Sequence, residues 1–352
     1  MSDISQQLVD RVISARDKGE KLSISGRGSK SFLGRKIEGE QLSLAEHSGI
    51  VNYHPVELVM TVRAGTRLTE IESVLHEQGQ QLSFEPPTFS GEASIGGTFA
   101  CNLSGPGRPW GGSVRDMVLG IKLINGKGEH LNFGGQVMKN VAGYDVSRTQ
   151  AGAMGSLGII TEISLKVMPV PAMSLTLVQE MDAPQAIKTM NLLAATPKPL
   201  TAACWLDNKL YLRLSGAASA VEGTAKQWQG SVLEQGHHFW QSLKEQQLDF
   251  FGGELPLWRF SIKPTAEHFY PDGEWLIDWG GAQRWFRGDY ALHQLEDAAI
   301  DAKGQVSLFR GGDRRGEVFH RQSSVSEVFH KRLKDAFDPD RLFNPGRLYS
   351  WL

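Results

Sequence analysis

The sequence predicts an α+β protein with a glycine-rich first part, residues 1–170, and a smaller α+β second domain, residues 171–310. Three observations support this prediction. Short strand-like and helix-like segments alternate through the first part. Trp and Gln become more frequent and Gly less frequent after "MPVPAMS" (168–174). The chain ends, over 311–352, in a helix-like segment followed by a proline-punctuated tail. Segregated helices and antiparallel strands are typical of α+β domains.

Length and composition restrict the class of protein. The chain has 352 residues with 40% hydrophobic content, enough for one large domain or two. A formal net charge of -2 argues against a primary nucleic-acid role, which usually requires a basic face. Cys101 and Cys204 are too few for a secreted disulfide framework, and they lack the spacing of a zinc site. These features predict a protein of a reducing compartment.

The N-terminal segment predicts an amphipathic helix, because Ile4, Leu8, Val9, Val12 and Ile13 recur with helical spacing. It does not have the continuous apolar core of a signal peptide. No stretch approaches the roughly 20 apolar residues of a membrane span. We therefore expect a cytoplasmic protein, and attachment to a membrane through a partner remains open.

Strand and helix signals follow one another through the first part. "KLSISG" (21–26), "LVMTVRAG" (58–65) and "LGIITEISLKVMP" (157–169) predict strands. "TRLTEIESVLHEQG" predicts a helix with Leu68, Ile71, Val74 and Leu75 on one face, Thr66 as N-cap and Gly79 as its end. "NGKG" between "VLGIKLI" and "EHLNF" predicts a hairpin.

The second part predicts an antiparallel sheet with packed helices. "SLTLVQ", "TAACWL", "LYLRLS" and "LPLWRFSIKP" indicate strands, and "EWLIDWGGAQRWFRG" indicates a hairpin. "DAPQAIKTMNLLAA" indicates a helix capped by Asp182. The segment "SEVFHKRLKDAFDPDRLFNPGRL" indicates a last helix that leads into the tail.

Three glycine loops follow predicted strands. "GRGSK" (26–30) alone is more typical of a surface turn, although successive backbone amides in such a turn can bind an anion. "ASIGGTFACNLSGPGRPWGG" (93–112) has neither helical nor strand period and predicts a loop, and "GAMGSLGII" (152–160) is the third. Together they favour a site for a long phosphate-bearing ligand, which needs close backbone approach. The alternative is a glycine-rich sheet without a ligand.

These motifs, with "VRDMVLGIKLINGKGE", "KNVAGYDVSRTQAGAMGSLGIITEISLKVMP" and "FDPDRLFNPGR", resemble the FAD-linked oxidases of the vanillyl-alcohol oxidase type. Within them the chain is most similar to the FAD-binding subunits of bacterial glycolate oxidases. The resemblance implies a two-subdomain PCMH-type FAD-binding domain, a smaller α+β cap and a C-terminal tail that returns to the flavin.

The resemblance also implies which residues hold FAD. The expected set is Gly26, Arg27, Gly28, Ser29, Lys30, Pro86, Ser94, Ile95, Gly96, Gly97, Asn102, Ser104, Gly105, Arg115, Asp116, Gly155, Ser156, Gly158, Ile160 and Asn344. Within it, the amides of 26–30 would hold the pyrophosphate, and Asn344 would reach the isoalloxazine. Covalent members carry a His in the first loop, and Ser29 stands there in this chain, so non-covalent FAD is expected.

Candidate substrate residues are fewer. Arg259 and Arg310 could hold a carboxylate by a bidentate fork, and Lys263, four residues after Arg259, is predicted on the same strand face. His320 is a candidate base. Related dehydrogenases have a metal-binding His pair that this chain lacks, and the adjacent His237 and His238 indicate a helix surface, so no metal is expected.

The resemblance implies hydride transfer from C2 of glycolate, or of D-2-hydroxy acids such as D-lactate, to flavin N5, with glyoxylate or another 2-oxo acid as product. Electrons would pass to an iron–sulfur subunit, because two cysteines cannot hold a cluster. A second FAD-containing catalytic subunit is also implied. The alternative is an electron-relay or structural FAD subunit without a substrate site. A third hypothesis is a stand-alone FAD oxidase.

Overall fold

A computed structural model describes residues 2–135, 144–268 and 271–352. The chain divides into two compact units: unit 1 comprises Met1–Leu103, Ser113–Pro169 and Arg314–Leu352, and unit 2 comprises Ser104–Gly112 and Val170–Asp313. The C-terminal segment therefore belongs to unit 1. Residues 104–112, which the sequence places with 1–170, belong to unit 2 instead. The first five residues of the "KNVAGYDV" motif, 139–143, lie outside the described residues.

The helices are α1 Ser5–Lys18, α2 Leu68–Glu77, α3 Ile95–Ala100, α4 Arg108–Gly111, α5 Val114–Met117, α6 Tyr144–Thr149, α7 Ala183–Ala194, α8 Ala218–Gln227, α9 Gly236–Glu245, α10 Leu292–Asp301 and α11 Ser324–Phe337. Single 3-10 turns occur at Asp249–Phe251 and Trp279–Gly281.

The strands are β1 Leu22–Ser25, β2 Glu40–Ser43, β3 Ile50–His54, β4 Val59–Arg63, β5 Gln80–Gln81, β6 Val118–Ile124, β7 His130–Gly134, β8 Ile159–Lys166, β9 Met168–Pro169, β10 Met173–Glu180, β11 Leu200–Leu206, β12 Lys209–Gly216, β13 Ser231–Val232, β14 Leu257–Ser261, β15 Glu274–Asp278, β16 Gln283–Arg287 and β17 Gln305–Arg310.

Unit 1 is built on a five-stranded antiparallel sheet of order β3-β4-β8-β6-β7, with a parallel pair β1-β2 and a short pair β5-β9. β4 and β8 are almost wholly buried because helices and the tail cover them. Phe343 of the tail joins this core and pairs with Leu22 of β1. The C-terminus is therefore part of the unit's core.

Unit 2 contains an eight-stranded antiparallel sheet of order β13-β10-β12-β11-β15-β16-β14-β17. α7 packs on β11, and α8 packs on β10 and β12, around a core that includes Ile187, Met190 and Leu212. Asp182 caps α7 as predicted, since its Oδ1 accepts from the Gln185 amide at 2.9 Å. The α+β class and the hairpins β6-β7 and β15-β16 are confirmed.

Three local predictions were wrong. Residues 93–112 contain α3 and α4, which are shorter than the window over which helical periodicity can be read. Arg67, not Thr66, is the N-cap of α2, because the Thr66 hydroxyl bonds to Gly49 and Arg63. β14 ends at Ser261, so Lys263 lies beyond the strand and shares no face with Arg259.

A fully buried ion pair holds the C-terminal tail against the rest of unit 1. Lys334 of α11 donates from Nζ to Asp338 Oδ2 at 2.7 Å and to the carbonyls of Ser156 and Phe343 at 2.7 and 2.8 Å. Asp338 in turn accepts from the amides of Leu342 and Phe343. Burial lowers the pKa of Lys334, and the Asp338 carboxylate partly opposes this. The three ammonium protons are therefore all used in holding three chain segments together.

Among the described residues, no helix combines the length and the apolar character needed to cross a lipid bilayer.

We predict that Lys334→Met lowers the free energy of unfolding by about 3–5 kcal/mol, because it leaves a buried carboxylate without its partner. Lys331→Met is the matched control on the same helix, since Lys331 is half-exposed and pairs with Glu327 at 3.6 Å. Such a surface pair contributes about 0–1 kcal/mol. Denaturant unfolding measures both, and equal losses in the two variants would contradict the assignment.

Stability is also expected to fall below pH 6.5. His47 is fully buried and accepts the Ile4 amide at Nδ1 (3.2 Å), and burial lowers its pKa. The unfolded chain therefore binds this proton at a higher pH than the folded chain does, so acidification below 6.5 favours unfolding. His47→Asn keeps an acceptor and should flatten the dependence below pH 6.5. Exposed His237→Asn should leave it unchanged; identical slopes for both variants would refute the role of His47.

Candidate functional site

Unit 1 contains a cavity of about 460 Å³. Four parts of the chain form its wall: β1 with the turn after it, α3, the loop that leads into β8, and the C-terminal segment. The lining residues are Ser23–Ser31, Gly34–Ile37, Gln41, Leu44, Ala64, Ser94, Gly96, Gly97, Ala100, Cys101, Met154, Gly155, Gly158, Ile160, Arg314, Asn344 and Arg347. The volume is within the range of ligand sites in proteins.

The cavity wall is strongly cationic. Its charged members are Arg27, Lys30, Arg35, Lys36, Arg314 and Arg347. Within the described part of the chain no Asp or Glu lines it, although the whole chain carries a net charge of -2. Like charges gathered in a concave wall create a field that favours an anionic ligand. The wall is therefore suited to phosphate groups.

The arginines of the wall also hold its backbone in place. Arg27 donates to the carbonyls of Gly65 and Ala45, each at 3.0 Å. Arg35 donates to the carbonyls of Gly316 and Gly346 at 2.9 Å and to that of Arg315 at 2.7 Å. These bonds fix the turn against neighbouring segments, and Arg35 also forms an ion pair with Glu317, at 3.9 Å from Nε to Oε2.

The tail completes this arrangement from the other side. Arg347 donates to the carbonyls of Ser31 and Arg35 at 3.2 and 3.3 Å, and Arg314 donates to that of Gly34 at 3.2 Å. Burial lowers the pKa of Arg347, although the guanidinium stays charged at neutral pH. The docked C-terminal segment thus adds to the bonds that hold the turn 26–37 in place.

Lys30, Ser94 and Gly97 meet at one corner of the cavity. Lys30 is 7% exposed, and its Nζ lies 3.2 Å from Ser29 Oγ and 5.6 Å from the centre of the Phe89 ring. Ser94 Oγ accepts from the Gly97 amide, and a Cβ added to Gly97 would lie 3.9 Å from Lys30 Nζ. An ammonium, a hydroxyl and small residues together can receive a phosphate oxygen.

The glycines of the wall serve two purposes. A Cβ at Gly96 would lie 2.6 Å from Ala64 Cβ, so this glycine lets α3 pack on the chain after β4. Gly158 is similarly close to Leu123. In contrast, a Cβ at Gly28, where φ is +79°, would meet no atom within 4 Å, so this position remains open. A ligand therefore explains only some of the glycines in the cavity wall.

Asn344 lines the cavity, but its amide is engaged by the protein. Oδ1 accepts from the Ile24 amide at 2.7 Å, and Nδ2 donates to the Met154 carbonyl at 2.6 Å. The residue has a left-handed φ of 41°. Asn344 therefore joins β1 to the loop before β8, and its expected contact with the isoalloxazine stays a prediction.

Eight members of the expected cofactor set do not line this cavity: Pro86, Ile95, Asn102, Ser104, Gly105, Arg115, Asp116 and Ser156. Ile95 is fully buried in the core. Asp116 forms a capping box with Ser113 at the start of α5. Ser156 donates to the Ala153 carbonyl at 2.6 Å, and Ser104 and Gly105 belong to unit 2. The other twelve line it.

The candidate substrate residues are divided between the units. Arg259 and Arg310 lie on the neighbouring strands β14 and β17 of unit 2, and Arg310 donates to Gln246 Oε1 at 2.6 Å. Lys263 is exposed after β14. His320 belongs to unit 1 and is 7% exposed. Their roles in substrate binding stay predictions.

No group of three or more His, Cys, Asp or Glu side chains suited to a metal occurs in the ranges that the structure describes. His237 and His238 are exposed on α9, as the sequence indicated.

Sequence reasoning missed most of the cationic wall. Arg35, Lys36 and Arg314 are outside the motifs. Arg347 stands in "NPGR", the motif in which Asn344 alone was predicted to be a cofactor residue. The available signal was the recurrence of Arg next to glycine in segments far apart in the chain.

Comparisons with known proteins show what this chain is similar to. The model of the FAD binding domain family matches residues 4–134. The chain is 45% identical over 350 residues to glycolate oxidase subunit GlcE of Escherichia coli (strain K12), covering 99% of each chain. It is 32% identical over 142 residues to glycolate oxidase subunit GlcD of Bacillus subtilis (strain 168), 40% of this chain and 30% of that one.

Two further likenesses are to a dehydrogenase and to a solved structure. A D-lactate dehydrogenase of Anaerostipes hadrus is 31% identical over 140 residues, 40% of this chain and 29% of that one. Among solved structures, an alkyldihydroxyacetonephosphate synthase superposes with a TM-score of 0.66 at 14% identity, over 97% of this chain and 75% of that chain. At this identity the superposition shows a shared fold only.

We predict that Gly97→Leu abolishes FAD retention without unfolding the protein, because the new side chain fills the corner beside Lys30. Gly223→Leu is the matched control: it is also helical, and a Cβ there meets nothing within 4 Å. Flavin absorbance per chain and the thermal unfolding of the apoprotein measure the two effects. Full flavin content in Gly97→Leu would place the cofactor elsewhere.

Proposed function

Because this chain belongs to the GlcE family of glycolate oxidase subunits, we propose that it is an FAD-binding subunit of a glycolate oxidase. The substrate class is glycolate and D-2-hydroxy acids such as D-lactate, and the product is the 2-oxo acid. The observation that carries the proposal is the cationic cavity, which no carboxylate lines among the described residues and most of whose lining residues lie in the segment that matches an FAD binding domain.

The residues present fit a dinucleotide. The amides of Gly26–Lys30 and the ammonium of Lys30 would hold the pyrophosphate, and Arg35, Arg314 and Arg347 would keep that turn in place while adding charge. No histidine lines the cavity among the described residues, which supports non-covalent attachment. When bound, FAD supplies the electron acceptor for oxidation of an alcohol to a carbonyl.

One observation favours the alternative of an electron-relay subunit. The described cavity wall has neither a carboxylate nor an imidazole, the groups that most often take the proton of an alcohol. In that case a second FAD-containing subunit would oxidise the substrate, and this chain would pass electrons onward.

The two functions predict different results when the purified, FAD-loaded chain is mixed with glycolate or D-lactate without oxygen. Bleaching of the oxidised flavin band is the expected result, since a catalytic subunit contains its own substrate site. A flavin that stays oxidised alone but is reduced once the partner subunits are added would mean that the chain relays electrons or depends on assembly. A flavin that no combination reduces would contradict both.

We propose an iron–sulfur subunit and a second FAD-containing subunit as partners. The two cysteines, Cys101 and Cys204, are free thiols and cannot hold a cluster. α11 exposes Val325, Val328 and Phe329 to 63%, 47% and 58% at helical spacing, and exposed Arg332 continues the stripe. Such a stripe fits an apolar, acidic-rimmed surface on another subunit. A cytoplasmic location, with any membrane contact made through partners, belongs to this proposal.

We expect Phe329→Asp to disrupt co-purification with the partner subunits, because it puts a charge at the centre of the stripe. Leu192→Asp is the control, since Leu192 is 69% exposed and isolated on α7. Flavin content should match the wild-type chain in both variants. A Phe329→Asp chain that still assembles would exclude α11 as the contact.

A further inference from the structure

Most arginines of unit 2 donate hydrogen bonds to protein oxygens. Arg287 donates to the carbonyls of Phe250 and Phe251, Arg284 to those of Ala266 and Glu267, and Arg213 to Thr201. Arg310 donates to Gln246. A guanidinium whose donors are occupied in this way has little capacity left for a ligand.

Arg108 of α4 differs from them. Its guanidinium carbon lies 4.6 Å from the centre of the Trp279 ring. Its side chain forms no hydrogen bond and no ion pair with any residue in the described ranges. The residue is half-buried. Arg108 therefore presents N–H donors that have no protein partner in the described ranges, from a side chain that stacks on an indole ring.

Trp279 is fixed in turn by an unusual backbone. It has φ of +55°, and Gly280 and Gly281 continue the left-handed run at +64° and +101°. Asp278 Oδ1 accepts the Trp279 amide at 2.7 Å, and the indole Nε1 donates to the Gly105 carbonyl at 2.9 Å. Positive φ is rare for a bulky residue and persists where the surroundings impose it. The ring is thus held under Arg108 from two sides.

The stacked geometry leaves one mode of recognition open. Stacking covers a face of the planar guanidinium, whereas its N–H bonds point outward in the plane, where a carboxylate can bind with both oxygens. A fixed in-plane fork is suited to a small monocarboxylate.

We propose that Arg108 binds the carboxylate of the 2-hydroxy acid and that Trp279 is the positioning residue that orients it. The assignment rests on the proposed function, and it replaces Arg259 and Arg310 as the first choice for this role. Arg259 lies 5.8 Å from the Phe309 ring, and Arg310 is bonded to Gln246. The site takes a carboxylate next to a hydroxyl-bearing carbon.

The test compares Arg108→Met with Arg213→Met, which removes an arginine that also stacks on a tryptophan, Trp240, at 5.3 Å. Glycolate is titrated calorimetrically into each FAD-loaded chain without oxygen, and 1,2-ethanediol serves as the probe without a carboxylate. KM and kcat for glycolate are then measured in the assembled enzyme. We expect Arg108→Met to weaken glycolate binding and to raise KM at least 10-fold, with flavin content unchanged. Arg213→Met should bind glycolate as the wild-type chain does.

Two further variants separate binding from structure. Arg108→Lys should recover only part of the affinity, because an ammonium lacks the bidentate fork. Added guanidinium ion should partly restore Arg108→Ala, which a purely structural role would not allow. Unchanged glycolate affinity in Arg108→Met, with wild-type flavin reduction, would overturn the assignment and leave the proposed function intact. Loss of assembly with unchanged affinity would show that Arg108 pairs with a partner subunit instead. A wild-type chain that neither binds glycolate nor is reduced by it would count against the proposed catalytic function itself.

Discussion

The buried pair of Lys334 and Asp338 is the interaction on which the candidate cofactor site depends. One ammonium bonds the helix α11, the loop at Ser156 and the tail at Phe343, and one carboxylate holds the tail amides. Buried charges are costly unless every donor and acceptor is paired, and here they are. Because the tail also supplies Asn344 and Arg347 to the cavity wall, formation of the site is coupled to docking of the C-terminus.

The cavity wall combines rigidity with an excess of cationic side chains. Its arginines bond mainly to carbonyl groups, which orient each guanidinium, so the wall is fixed before a ligand arrives. A preorganised wall lowers the conformational entropy lost on binding. Glycine at 28 leaves the space open, whereas glycine at 96 and 158 is required by close packing inside the protein.

The sequence was sufficient for elements with a clear period, such as α1, α7 and the hairpins, and for the motifs that identify an FAD-binding domain. It was insufficient where the determinant is long-range. Lys334 and Asp338, four apart on a helix end, look like an ordinary surface pair, and only the returning tail buries them. Arg35, Arg314 and Arg347 converge through the same docking. α3 is too short to have a readable period, and the fixed stack of Arg108 on Trp279 arises from a left-handed turn that no periodicity indicates.

The central claim is that the cationic cavity of unit 1 binds FAD through its pyrophosphate. The most direct measurement is calorimetric titration of the apoprotein with FAD, FMN and riboflavin at low and high salt. The account predicts that FAD binds most tightly and riboflavin most weakly, and that added salt weakens FAD much more than riboflavin. Equal affinity for riboflavin and FAD, or FAD binding that is indifferent to salt, would contradict it.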